Sequence, residues 1–338
     1  MRSIKAVLAF CTLTFCTLPV CALMGAVQAQ PQPQPLKPAC RLMQFGSVDL
    51  HVADGKVSMP ITIEEVQQDA TLSLSSAFNY MSQEMMDQLK LRARSIANGL
   101  TIGDIHKVAV VPEVRFGDVK MRNVEFLIPP KWNVGSGPQM SIGLEIFGNV
   151  DLDLDMAAKK LKFFSQDHCP GKAVYWTTAF TQVPFQMQDF GFVRPTLLLD
   201  GKPVSVGLAL NSDSVISIGT MKALFGVDEK SPGMSPIETN EKGINFYRYP
   251  FKTLGTEELK INNPSIRVIG VGYTDQCRGN MTRDIADPTK LHSLQPFSNL
   301  YTCFGGQDLT LGYSVLSKLH MYFSMKEKVM YISAADAH

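Results

Sequence analysis

Residues 60–89 read PITIEEVQQDATLSLSSAFNYMSQEMMDQL, and residues 195–224 read PTLLLDGKPVSVGLALNSDSVISIGTMKAL. Laid over one another without a gap, they match Pro60 with Pro195, Ile63 with Leu198, Leu72 with Gly207, Met81 with Ile216, Ser82 with Ser217 and Leu89 with Leu224. Each copy is an apolar run, a loop of small residues, and a serine followed by apolar residues at helical spacing. That order spells strand, loop and N-capped helix. In the first copy the helix runs from Ser82 to Leu91, with Met85, Met86 and Leu89 on one face. Further along, Gly143 matches Gly312, and Ile146, Phe147, Val150, Leu152, Leu154 and Met156 match Val315, Leu316, Leu319, Met321, Phe323 and Met325. Between these blocks Lys120 and Asn123 match Lys260 and Asn263. Three blocks in one order point to an internal duplication.

Outside the repeat, short alternating runs are separated by turn residues. Val48–Val52 and Val57–Ile63 flank Ala53-Asp54-Gly55-Lys56 and predict a hairpin with an Asp-Gly turn. Val108–Val114, Val119–Ile128, Val150–Leu154, Lys160–Phe164, Thr196–Leu199, Leu259–Ile261 and Lys328–Ile332 predict further strands. The chain is therefore expected to be mainly β, with a first lobe over 40–175, a connection over 176–192 and a second lobe over 193–338.

Arg2 and Lys5, an apolar run from Ala6 to Val27 and the small-residue pattern Val27-Gln28-Ala29 predict a cleaved signal peptide over 1–29. Export to the periplasm or the outside follows, with no stable membrane span after cleavage. Residues 30–39 are rich in Pro and Gln and read as an extended tether. Cleavage leaves Cys40, Cys169, Cys277 and Cys303, and four cysteines allow three pairings. Chain order suggests Cys40 with Cys169 and Cys277 with Cys303, and an oxidising compartment favours disulfides. Their spacing lacks the close pairs of a zinc site, so no metal is expected. With 32 basic and 31 acidic residues, the chain has no net field to attract nucleic acid.

In element order the two copies resemble the lobes of the retropepsin-like aspartic proteases, joined in one chain as in pepsin-like enzymes. The stretches Ser141-Ile142-Gly143-Leu144 and Thr310-Leu311-Gly312-Tyr313 stand where that family has an apolar-apolar-Gly segment beneath its catalytic loop. The resemblance implies a duplicated β fold with short helices and an inter-lobe cleft, and it covers nearly all of Cys40–Ser333. It also puts the two catalytic aspartates at Ser73 and Leu208, about nine residues before Ser82 and Ser217. Neither can ionise. Leu74 and Ala209 stand at the bracing hydroxyl positions, and Ser75 and Leu210 at the glycine positions. The family's chemistry needs two carboxyl groups sharing one proton, one acting as base toward water and the other as acid.

No catalytic residue is therefore expected, and no cofactor. The chain reads as an inactive protease-like protein whose cleft binds an extended peptide or protein ligand. Two alternatives stand beside it. One is an active aspartic endopeptidase starting from Asp213, the carboxylate nearest the second loop, otherwise a turn or capping acid. The other is a structural envelope scaffold with a filled cleft. A serine nucleophile, Ser73, Ser75 or Ser76 with His51 or His106, lacks the Gly-x-Ser-x-Gly setting. Asp151, Asp153 and Asp155 alternate with apolar residues and are expected on the wet face of a strand rather than around calcium. His320 reads as a satisfied strand residue. Asp284, Asp287, His292 and the sequon Asn280-Met281-Thr282 fall in a polar loop.

Overall fold

Alternation decides the strands. In the computed structural model, Val57, Met59, Ile61 and Ile63 of one strand are buried while the residues between them are not. The structure describes residues 40–74, 76–96, 104–132, 137–188, 192–240, 243–270 and 307–335. The signal and tether segments, Ser75, Cys277, Cys303, Asn280, Asp284, Asp287 and His292 lie outside these residues.

The first half of the chain carries β1 (Gln44–Asp49), β2 (His51–Ala53), β3 (Lys56–Ile63), β4 (Val66–Leu72), β5 (Tyr80–Met81), α1 (Gln83–Gln88), β6 (Ala93–Ser95), β7 (Lys107–Phe116), β8 (Val119–Ile128), β9 (Met140–Ile142), β10 (Asp151–Asp155) and β11 (Lys160–Phe164). The second half carries β12 (Thr181–Gln188), β13 (Phe192–Leu199), β14 (Lys202–Leu208), β15 (Val215–Ser217), α2 (Ile218–Phe225), β16 (Ser235–Thr239), β17 (Asn245–Arg248), β18 (Thr253–Gly255), β19 (Lys260–Asn262), β20 (Arg267–Ile269), β21 (Leu309–Leu311), α3 (Tyr313–Leu316), β22 (Leu319–Ser324) and β23 (Val329–Ala334). The fold is thus mainly β with short helices. Ser82 and Ser217 cap α1 and α2, their side chains accepting from Met85 N and Thr220 N. The Asp54-Gly55 hairpin forms with both residues at positive φ, the backbone that a two-residue turn between twisted strands requires. Thr181–Gln188, within the segment read as a connection, is strand β12 and pairs with β23.

The two halves thread their strands alike. One sheet runs β2-β3-β4-β9-β5-β8-β7-β6, and the other contains β13-β14-β21-β15-β20-β17-β16. In each, the late strand is parallel to one early strand and antiparallel to the next: β9 between β4 and β5, and β21 between β14 and β15. The halves join in a six-strand run, β1-β11-β10-β22-β23-β12, where β10 of the first pairs with β22 of the second. One apolar core spans both halves, from Val48 to Ile332.

The ladders correct the gapless overlay by one residue before the loops. Leu72 pairs with Ile142 and Leu208 with Leu311. Next in line, Ser73 N donates to Ile142 O and Ala209 N to Leu311 O, each at 2.8 Å. Ser73 is thus equivalent to Ala209, not to Leu208. The cause is loop length: seven residues, Ser73 to Asn79, separate β4 from β5, but only six, Ala209 to Ser214, separate β14 from β15.

A second correction concerns Asp151 and Asp153. Both are fully buried rather than on a wet face. β10 lies in the middle of the six-strand run. Leu152 and Leu154 enter the core on one side, while His168, Tyr175, His320 and Tyr322 cover the aspartates on the other.

Candidate functional site

The two loops that cross over β9 and β21 are the places where the sequence looked for chemistry. Each is held by a glycine where any side chain would push into the loop backbone. A Cβ on Gly143 would overlap the carbonyl oxygens of Ala77 and Phe78, and one on Gly312 the carbonyl oxygen of Ser212. Each glycine N–H is answered by a loop side chain, Gly143 N by Asn79 Oδ1 at 3.0 Å and Gly312 N by Ser214 Oγ at 2.9 Å.

What the loops present is apolar. Leu74, Leu208 and Leu210 are each about 1% exposed and belong to the common core. Burying a leucine side chain contributes roughly 1.5–3 kcal/mol, so these residues are anchors. Ser73 and Ala209 are half-buried. Neither register brings a carboxyl group to the end of β4 or β14, since residues 72–74 are Leu-Ser-Leu and 208–210 are Leu-Ala-Leu. The Ser76 hydroxyl accepts from Phe78 N at 3.1 Å and closes a local turn, while His51 faces Asp69 at 3.3 Å. Leu74, Leu208 and Leu210 are thus part of the common core, and Asp213 is exposed outside it.

Asp213 is exposed and committed elsewhere. Its Oδ2 accepts from Arg267 Nη1 at 2.6 Å, and Glu238 takes Nη2 of the same guanidinium. Arg267 also lies over the Phe246 ring at 4.3 Å. Its burial alone would lower the guanidinium pKa, but the bonds to Asp213 and Glu238 outweigh this and hold it above its ordinary value. Asp213, Glu238 and Arg267 line a cavity of about 540 Å³ in the second half, with Arg248, Tyr249, Phe251 and Ile266.

Two groups of interacting residues escaped the sequence. Asn211, on the second loop, bonds to the backbone of Val57, 154 residues away. His168 bonds to Asp151 at 2.6 Å, and Ser324 Oγ lies 3.4 Å from the same ring nitrogen. That grouping is not a Ser-His-Asp triad, because serine and aspartate share Nε2 instead of taking opposite sides of the ring. His320, read as a satisfied strand residue, bonds to Asp153 at 2.7 Å. Cys40 and Cys169 form a disulfide with Cα atoms 5.0 Å apart. Among the described residues, no group of three or more His, Cys, Asp or Glu could hold a metal, and no helix is long and apolar enough to cross a membrane.

Both halves are mainly β, and each threads a late strand between two consecutive ones. No family model and no curated protein matches the chain. Among solved structures it is similar to the aspartic proteinase from Irpex lacteus, at 8% identity and TM-score 0.49, over 86% of this chain and 97% of that one. It is also similar to basic 7S globulin from soybean, at 8% identity and TM-score 0.44, over 88% of this chain and 96% of that one.

Proposed function

We propose that the chain is an exported, duplicated aspartic-protease-like protein without proteolytic activity, whose two lobes, 40–175 and 193–338, bind an extended peptide between them. The observation that carries this reading is the pair of crossing loops, Leu72-Ser73-Leu74 and Leu208-Ala209-Leu210, which offer no carboxyl group in either alignment. Without two carboxyl groups close enough to share a proton, neither the activation of water nor the protonation of a leaving amine has an agent. The like strand order of the two halves supports the duplication. The signal-like residues 1–29 and the Cys40–Cys169 disulfide support export.

Binding by strand addition needs an open sheet edge. β16 ends its sheet, pairs only with β17 among the described residues, and is exposed along all five residues. The scaffold reading draws support from the burial of Leu74, Leu208 and Leu210 in the common core. An endopeptidase built on Asp213 would first have to take that carboxylate from Arg267.

The test is a melting curve with a pepstatin-type inhibitor, paired with a screen of displayed extended peptides against the mature chain. No inhibitor shift and a selected peptide that raises the melting temperature are the expected results. A clear shift with the inhibitor would overturn the inactive reading. A screen yielding no peptide at all would favour the scaffold.

A further inference from the structure

The cavity of about 540 Å³ in the second half lies where β16, β17 and the start of β20 meet the turns that follow β17 and precede β20. Its lining is of two kinds. Ile237, Tyr249, Phe251 and Ile266 are mainly apolar, with the Tyr249 and Phe251 rings meeting edge to face at 5.0 Å, while Arg248 and Arg267 are cationic. Phe251 and Ile266 are buried, but Ile237 stays 42% exposed, a branched apolar side chain left in water at the cavity.

The two arginines differ in what meets them. The ladder between β17 and β20 sets Arg248 directly opposite Arg267, and like charges opposed across a ladder repel. Arg267 is relieved twice. Its Nη1 donates to Asp213 Oδ2 at 2.6 Å and its Nη2 to Glu238, and the guanidinium covers the Phe246 ring at 4.3 Å. Arg248 has neither a carboxylate nor a hydrogen-bond acceptor for its side chain among the described residues.

We propose that this cavity binds a small organic acid, its carboxylate taken by Arg248 and its apolar body set against Ile237, Tyr249 and Phe251. The site goes beyond the peptide reading and stands or falls without it.

Each part of such a ligand answers one feature of the lining. A carboxylate matches the guanidinium fork, accepting two parallel N–H bonds, and offsets the repulsion that Arg267 imposes on Arg248. The apolar body takes Ile237 out of water. An apolar cavity of this size with a few polar groups is the kind that holds small molecules. A cation fits less well. The formal charges of Asp213, Glu238, Arg248 and Arg267 cancel, so no net field favours either sign, and local pairing decides. Both acids are already bonded to Arg267, and an amine would have to take one from it. A carboxylate at Arg248 displaces only water. An alcohol with the same body gains the apolar contact alone.

The test titrates the purified chain with phenylbutyrate, phenylbutanol and phenylbutylamine, read by the methyl shifts of Ile237 and Ile266, with the buried Ile61 of β3 as the reference. The acid is expected to move both cavity methyls to saturation, to leave Ile61 in place, and to bind about fivefold or more tighter than the alcohol. Arg248→Gln, read at Ile237 and Ile266, should abolish that preference while the alcohol binds as before. Ile237→Ser, read at Ile266, should weaken acid and alcohol alike, by about threefold or more. Both substitutions fall on exposed side chains, so both variants are expected to fold and to melt near the wild type. None of these readouts depends on whether the chain binds or cleaves peptides. No saturable shift with the acid, an acid preference that survives Arg248→Gln, or an amine that binds as tightly as the acid would overturn the proposal.

Discussion

Asn211 grips both backbone polar groups of Val57, its Oδ1 accepting from Val57 N at 2.5 Å and its Nδ2 donating to Val57 O at 3.0 Å. The loop between β14 and β15 thereby fastens the second half of the chain to the start of β3. Val57 is fully buried, so losing the amide leaves an N–H and a C=O without partners. Asn211→Ala is expected to cost about 1–3 kcal/mol in denaturant unfolding. Asn211→Asp should also destabilise, because its carboxylate meets the Val57 carbonyl where the amide donated. A neutral result for the alanine variant would mean that the grip contributes nothing.

Aspartate scanning separates the two alignments of the loops. Leu208 is buried in the ladder to β21, whereas Ala209 is half-buried just beyond it. Leu208→Asp should therefore destabilise strongly, by several kcal/mol, through an unpaired buried charge. Ala209→Asp should melt near the wild type. Reversed outcomes would reinstate the gapless overlay.

Gly143→Ala and Gly312→Ala each force a methyl group into a backbone carbonyl that cannot move aside. Each is expected to cost about 3 kcal/mol or more. Comparable melting temperatures for these variants and the wild type would refute the close crossing of loop and strand.

Much of this was legible in the sequence. The period-two runs gave β8 and β11 to the residue, and the Ser82 cap gave α1, because those signals are local. The one-residue step between Ser73 and Ala209 was not, since an overlay without gaps carries no information about loop length. Asp151 and Asp153 were misplaced for a related reason. Alternation tells which residues share a face, but whether the second face meets water depends on the 168–176 segment and on β22, far away in sequence. The Asn211–Val57 and His168–Asp151 contacts share that non-local origin.

Acid titration offers a prediction with a definite sign. Burial holds the Asp151 carboxyl above the ordinary aspartate value of 3.8, against the opposing bonds from His168 and Met325 N. Between that value and its folded one the folded chain binds more protons, so this residue's contribution is full below 3.8 and is lost as pH rises. Asp151→Asn should make the slope of melting temperature against pH more positive across the acid range, while lowering the curve overall through the weakened His168 contact. A slope that becomes less positive in the variant would contradict the assignment.

Asp213→Asn bears on the enzymatic alternative. The Asp213–Arg267 pair is exposed on the aspartate side, so its loss should cost no more than about 1 kcal/mol. A double-mutant cycle with Arg267→Met measures the coupling directly, and a coupling of several kcal/mol would contradict this estimate.

Neither crossing loop is expected to supply a catalytic acid, which is checked by incubating the purified chain with a mixed peptide library from pH 3 to 8 and reading products by mass spectrometry. No cleavage above a buffer control is expected at any pH. Cleavage that a pepstatin-type inhibitor abolishes, and that Asp213→Asn removes, would contradict it and establish a protease with a rebuilt acid site.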